Sequence, residues 1–128
     1  MIQSGAQEPS ASELRLNPQK SELTVTFSNG AVGALSAEFL RVMSPSAEVQ
    51  GHSPSERKLV PGKRAVTIRG IEPVGNYAVR LIFDDGHDTG LYTWRYLREL
   101  GATFDDKWAR YLKRLDGIGY VRKPVPSA

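Results

Sequence analysis

Two histidines, His52 and His87, and no cysteine are present in the 128-residue chain, so imidazole is the one strong nitrogen or sulfur metal ligand and the one base tuned to neutral pH. Each histidine is followed at the second position by a residue that cannot ligate iron usefully, Pro54 and Thr89, so no His-x-Asp/Glu pair begins a facial triad. His87 stands among Asp84, Asp85 and Asp88. Such a group could hold a divalent ion weakly, but a solvated, charged hairpin turn accounts for it more simply. His52 lies four residues after Glu48, yet Gly51 and Pro54 oppose a helix that would bring the two together, which leaves His52 as an exposed loop residue. The chain has no G-x-S-x-G elbow, no cysteine nucleophile and no G-x-x-x-x-G-K phosphate loop. The remaining candidates are the cations Arg57, Lys58, Lys63 and Arg64, which with His52 form a possible interaction surface. They could meet phosphates or an acidic protein surface. The alternative is a loop whose charges are simply solvated.

The elements around these residues come in two similar units. Glu13 to Asn17 and Glu22 to Ser28 alternate apolar and polar residues, the period of half-buried strands, with Pro18 to Ser21 as the turn. Asn29-Gly30 predicts a tight two-residue hairpin into Ala31 to Leu35, and Ser36 is the N-cap of a short helix with Phe39, Leu40 and Met43 on one face, stopped at Pro45. Ala65 to Arg69 and Tyr77 to Phe83 again read as strands, Asp85-Gly86 as a second tight hairpin into Thr89 to Tyr92, and Thr93 as the next N-cap, with Gly101 closing the helix. A last helix follows Thr103, with Phe104, Trp108, Tyr111, Leu112 and Leu115 on one stripe, ended by Gly117 and Gly119. Phe27 and Gly30 match Phe83 and Gly86 at 83 − 27 = 56; Gly33, Ser36, Phe39, Leu40 and Arg41 match Gly90, Thr93, Tyr96, Leu97 and Arg98 at 90 − 33 = 57. An internal duplication and the chance reuse of common turn chemistry explain this equally well.

The expected fold class is α+β: an antiparallel or mixed β-sheet of about five to six strands with two to three short helices, built from two β-hairpin-plus-helix units. Residues 1–12 carry no apolar run and no positive charge and are expected to be a disordered leader, 13–121 a single domain, and 122–128 a flexible tail. No apolar segment approaches the roughly 20 residues of a membrane helix, so membrane partners are not expected. Lack of cysteine suits a cytoplasmic location. The net charge of +3 is weak for a nucleic acid binder. It is concentrated, however: Arg41 to Arg69 holds six basic residues against Glu48 and Glu56, within which the long stretch Ser44 to Lys63 is the place to expect a partner.

Three stretches resemble a known family. Leu40-Arg41-Val42-Met43-Ser44-Pro45-Ser46-Ala47-Glu48-Val49, Ile71-Glu72-Pro73-Val74-Gly75-Asn76-Tyr77 and Phe83-Asp84-Asp85-Gly86-His87-Asp88-Thr89-Gly90-Leu91-Tyr92-Thr93-Trp94 are similar to stand-alone bacterial proteins of unknown function grouped with the N-terminal domain of gamma-butyrobetaine hydroxylases, over roughly Glu13 to Asp116. In those hydroxylases the resemblance implies a structural zinc held by Cys-Pro-Cys-x-x-Cys and a later histidine. Here Ser44-Pro45-Ser46-Ala47-Glu48-Val49 occupies the run and His87 the histidine position, so three of four ligands are missing and no metal or other cofactor is expected. The resemblance implies that catalysis belongs to a separate oxygenase domain. Similar domains fused to iron–sulfur carrier ATPases of the Mrp type point to an accessory or docking role.

The expected function is therefore a non-catalytic interaction or scaffold module whose partner is another protein. The rival is a nucleic acid binding domain that would use the basic loop together with Lys107, Arg110, Lys113 and Arg114 on the last helix.

Overall fold

Residues 9–46 and 58–122 are described by the computed structural model. In chain order they form β1 (Ala11–Leu16), β2 (Glu22–Phe27), β3 (Val32–Ser36), α1 (Ala37–Val42), β4 (Ile68–Val74), β5 (Ala78–Phe83), β6 (Leu91–Thr93), α2 (Trp94–Ala102) and α3 (Phe104–Gly117). The six strands divide between two antiparallel sheets, ordered β1-β2-β3 and β4-β5-β6. Alternation decides which faces are buried: Leu23, Val25 and Phe27 of β2 and Val79, Leu81 and Phe83 of β5 turn inward. They join Phe39, Leu40 and Val42 of α1, Leu97 and Leu100 of α2, and Tyr111 and Leu115 of α3 in one buried cluster. None of the described helices is long and apolar enough to cross a membrane.

The two units share several backbone hydrogen bonds. Phe27 N–H donates to Ala31 and Gly30 N–H to Phe27; Phe83 N–H donates to His87 and Gly86 N–H to Phe83. Ser28 N–H reaches Ser10 O, and Asp84 N–H reaches Thr67 O. Each helix enters from its own inter-strand turn, Ala37 N–H donating to Ser21 O and Trp94 N–H to Tyr77 O. Ser36 Oγ accepts from Phe39 N–H and Thr93 Oγ1 from Tyr96 N–H, both at 3.0 Å, as the cap assignments anticipated. Even the irregularities coincide, since β1 slips its register between Ala11 and Glu13 and β4 between Ile68 and Gly70.

Several local expectations change. The hairpin loops have three residues, not two: only Gly30 (φ 88) and Gly86 (φ 92) take positive φ, while Asn29 and Asp85 use their side-chain oxygens to accept from the N–H two residues on, at 3.0 Å in each case. The result is a turn followed by a left-handed glycine bulge, which a three-residue loop requires. The fourth strand runs Ile68–Val74 instead of starting at Ala65, because Val66 N–H closes a turn onto Lys63 O; Pro73 is tolerated because β4 is an edge strand. Gly101 does not end α2. Thr103 does, its N–H and hydroxyl both donating to Glu99 O, so Thr103 makes no side-chain cap for α3. At the end of α3, Gly119 (φ 74) allows Tyr120 N–H to reach Leu115 O and its own N–H to reach Asp116 O, the paired bonds of a Schellman cap.

Beyond that cap the chain returns to α1. Arg122, expected in the flexible tail, lies 5.1 Å from the Trp108 ring centroid and forks onto the buried carboxylate of Glu38, at 2.5 and 3.1 Å. Removal of residues 122–128 should therefore destabilise the domain by about 2 kcal/mol, since it strands a buried charge, and Glu38→Gln should restore part of the loss in denaturant midpoints. No side chain would crowd a Cβ at Gly30 or Gly86. Gly30→Val or Gly86→Val should thus cost only the backbone strain of a β-branched residue at positive φ, about 1–2 kcal/mol, whereas asparagine at either place should melt close to the parent.

Candidate functional site

The polar side chains converge where the end of α1 meets the β5–β6 hairpin. Ser44 follows α1 and is fully buried. Its Oγ lies 2.9 Å from His87 Nε2, which stands one residue beyond the hairpin glycine, and Ser46 N–H also reaches Ser44 Oγ. Gly90 makes the approach possible, because a Cβ there would sit 2.5 Å from Ser44 Oγ. Two tyrosines hold the α1 end in place: Tyr92 Oη donates to Leu40 O at 2.5 Å and Tyr96 Oη to Met43 O at 2.6 Å.

Beside this bond, Asp85 Oδ2 accepts from Arg41 Nε at 2.8 Å and meets Lys63 Nζ at 2.6 Å. Burial would raise the Asp85 pKa, but the hydrogen bonds from Lys63, the His87 N–H and Arg41 outweigh it and bring it down to about 2. The polarity belongs to one corner only. At the positions related by the internal repeat, Asp85, His87, Tyr92 and Ser44 correspond to Asn29, Ala31, Leu35 and Gly101. The fold itself does not demand these groups, since the matching unit is built without them.

The interaction surface read from the sequence divides. His52 and Arg57 lie outside the described residues. Lys58 and Arg64 are exposed, while Lys63 is tied to Asp85 and serves the corner. On α3, Lys107 faces Glu99 at 3.9 Å and Arg110 faces Asp106 at 3.3 Å, so part of the basic helix face is neutralised within the chain. The Arg41–Asp85 and Glu38–Arg122 pairs were not anticipated. They join residues 44 and 84 positions apart, and nothing in local spacing marks such partners.

Residues 14–98 match the family described as gamma-butyrobetaine hydroxylase-like, N-terminal. The chain belongs to that family. Among solved structures it is similar to two NMR solution structures, one 44% identical with a TM-score of 0.80 over 100% of this chain and 96% of the other, the second 45% identical with a TM-score of 0.77 over 95% and 96%. It is also similar to a crystal structure of a protein with unknown function of the DUF971 family from Acidithiobacillus ferrooxidans, 37% identical, TM-score 0.63, covering 75% of this chain and 99% of that one. No curated protein matches.

The zinc implied by the resemblance does not fit this corner. Ser44 and His87 do come together as the family pattern requires, but they meet as a hydrogen bond, and no group of three metal-ligating side chains occurs among the described residues. Serine hydroxyls are poor zinc ligands at neutral pH. A chelator such as EDTA should leave the melting temperature unchanged, and metal analysis of the purified chain should find no stoichiometric zinc. Asp85 gives a pH signature. Its folded pKa lies below the ordinary 3.8, so its contribution is complete above about pH 4 and disappears as pH falls through about 2. Asp85→Asn should cost about 1–2 kcal/mol at pH 7, allowing for solvent screening, and the two chains should converge in stability near pH 2.

Proposed function

We propose that this domain is a non-catalytic interaction module that docks onto another protein. The observation that carries the reading is the use made of the polar corner. Ser44 and His87 bond to each other, Asp85 neutralises Arg41 and Lys63, and the tyrosine hydroxyls bind carbonyls of the α1 end. These groups, the obvious candidates for acid, base or nucleophile, already have structural partners. Exposed side chains of the kind that bind proteins remain outside the corner, among them Tyr77, at 55% exposure, and Arg64. A family resemblance to an accessory domain is consistent with such a role.

The test is affinity purification of the tagged chain from its native host, beside a variant with Tyr77→Ala and Arg64→Glu. The expected result is one protein recovered in near-stoichiometric amount with the parent and depleted at least fivefold with the folded variant. Recovery of no protein, or equal recovery with both chains, would reject the reading.

A further inference from the structure

Seven of the described cations have ion-pair partners within the chain. Arg15 pairs with Glu13, Arg41 and Lys63 with Asp85, Arg80 with Glu72 and Asp88, Lys107 with Glu99, Arg110 with Asp106 and Arg122 with Glu38. Lys20, Arg64 and Arg69 are exposed and have no such partner among the described residues. They are distant in sequence, but Ile68 N–H donates to Lys20 O at 2.9 Å, which sets the β1–β2 turn against the start of β4. Arg69 follows Ile68 directly, and Arg64 lies in the turn that Val66 N–H closes onto Lys63 O.

Two local features set the positions of these cations. Lys20 has φ 59, the one non-glycine residue at positive φ among those described. A lysine is disfavoured there; the shorter β4–β5 turn uses Gly75, at φ 54. The turn holds Lys20 in that shape through Asn17, whose O accepts from Lys20 N–H and whose Oδ1 accepts from the N–H groups of Ser21 and Glu22. Backbone strain of this kind motivates a search for a functional reason. Arg69 is the extra residue of the β4 bulge, between the paired Ile68 and Gly70. Bulges re-aim side chains. The matching bulge of β1 carries Ser12, whose hydroxyl bonds to Thr26 O inside its own sheet.

We propose that Lys20, Arg64 and Arg69 form a docking strip for an acidic, carboxylate-rich segment of a partner protein. The inference rests on the interaction-module reading and gives the partner's chemistry. Charge complementarity favours a peptide over nucleic acid. The strip is short and has the carboxylate of Asp84 beside it, fixed by Thr67 N–H between Arg64 and Arg69. Three cations suit a few carboxylates of a peptide but offer few of the phosphate contacts on which nucleic acid affinity depends.

The experiment uses the full chain and fluorescence anisotropy with a labelled oligoglutamate peptide, its oligoglutamine counterpart, and single- and double-stranded oligonucleotides. The expected result is binding of the glutamate peptide alone, at least tenfold weaker when salt rises from about 50 to about 300 mM. The triple variant Lys20→Glu, Arg64→Glu, Arg69→Glu should lose at least tenfold in affinity, and Lys113→Glu, an exposed cation elsewhere, should lose less than twofold. Lys20→Gly separates function from architecture. It relieves the strained turn, so it should melt no lower than the parent while binding the peptide about threefold more weakly. Absence of peptide binding, equal binding by the triple variant, unchanged affinity in Lys20→Gly, or tighter binding of either oligonucleotide would each overturn the proposal. A partner recovered from the host despite any of these results would leave the module reading standing without this strip.

Discussion

Neither half of this molecule can bury its own apolar face. A three-stranded sheet with Leu23, Val25 and Phe27 on one side, followed by a helix of six residues, has too little surface to cover itself and too short a helix to persist alone. The second half has the same difficulty with Val79, Leu81 and Phe83. Both are resolved by one shared core, into which each unit inserts its inward residues and its helix. The other features follow from that sharing. The carbonyls at the end of α1 lie against the second unit and receive the hydroxyls of Tyr92 and Tyr96. Glu38, drawn inside with α1, requires the cation that Arg122 brings from beyond α3.

A shared core brings polar groups into low-dielectric surroundings, where each must find a partner. The corner at Ser44 meets this condition with hydrogen bonds and ion pairs where the hydroxylases of the resemblance would use metal coordination. The bond between Ser44 and His87 spans the two units. Gly90 keeps the space that this contact needs. Asp85 serves twice, as an acceptor for the His87 N–H that shapes the hairpin and as the counter-charge for Arg41 and Lys63. The junction is thereby closed by hydrogen bonds and ion pairs.

Sequence patterns carried the elements well and the contacts between them poorly. Ser36 and Thr93 were legible as caps because hydroxyl capping is a local bond over three residues, and the inward faces of β2 and β5 were legible because alternation is a local period. The α+β class followed from the same kind of signal, and the family from the resemblance of three sequence stretches. Turn type was misread at Asn29-Gly30 and Asp85-Gly86, where the asparagine and aspartate bond to the backbone instead of taking positive φ. The end of α2 was misplaced because a threonine hydroxyl outweighed a glycine. Of the site, the meeting of Ser44 with His87 was legible only through the family pattern. The ion pairs of Arg41 and Arg122, and the approach of Lys20 to Ile68, depend on tertiary packing and have no local signature.

The two units also provide a comparison within one molecule. Their backbone bonds coincide at the hairpins, the bulges, the helix caps and the helix entries, so the same folding problem has the same solution twice. Agreement at that depth, down to a shared register slip, favours duplication of an ancestral unit over chance reuse of turn chemistry. Once the backbone requirement is common to both halves, differences in side chains cannot be attributed to it. Alanine satisfies the hairpin at position 31 where histidine stands at 87, and serine satisfies the bulge at 12 where arginine stands at 69. In each pair the second unit carries the residue with more charge or hydrogen-bonding capacity. The polar corner accounts for His87 by its bond to Ser44. Lys20 and Arg69 have no ion-pair partner among the described residues, and it is on them that the proposed docking strip rests.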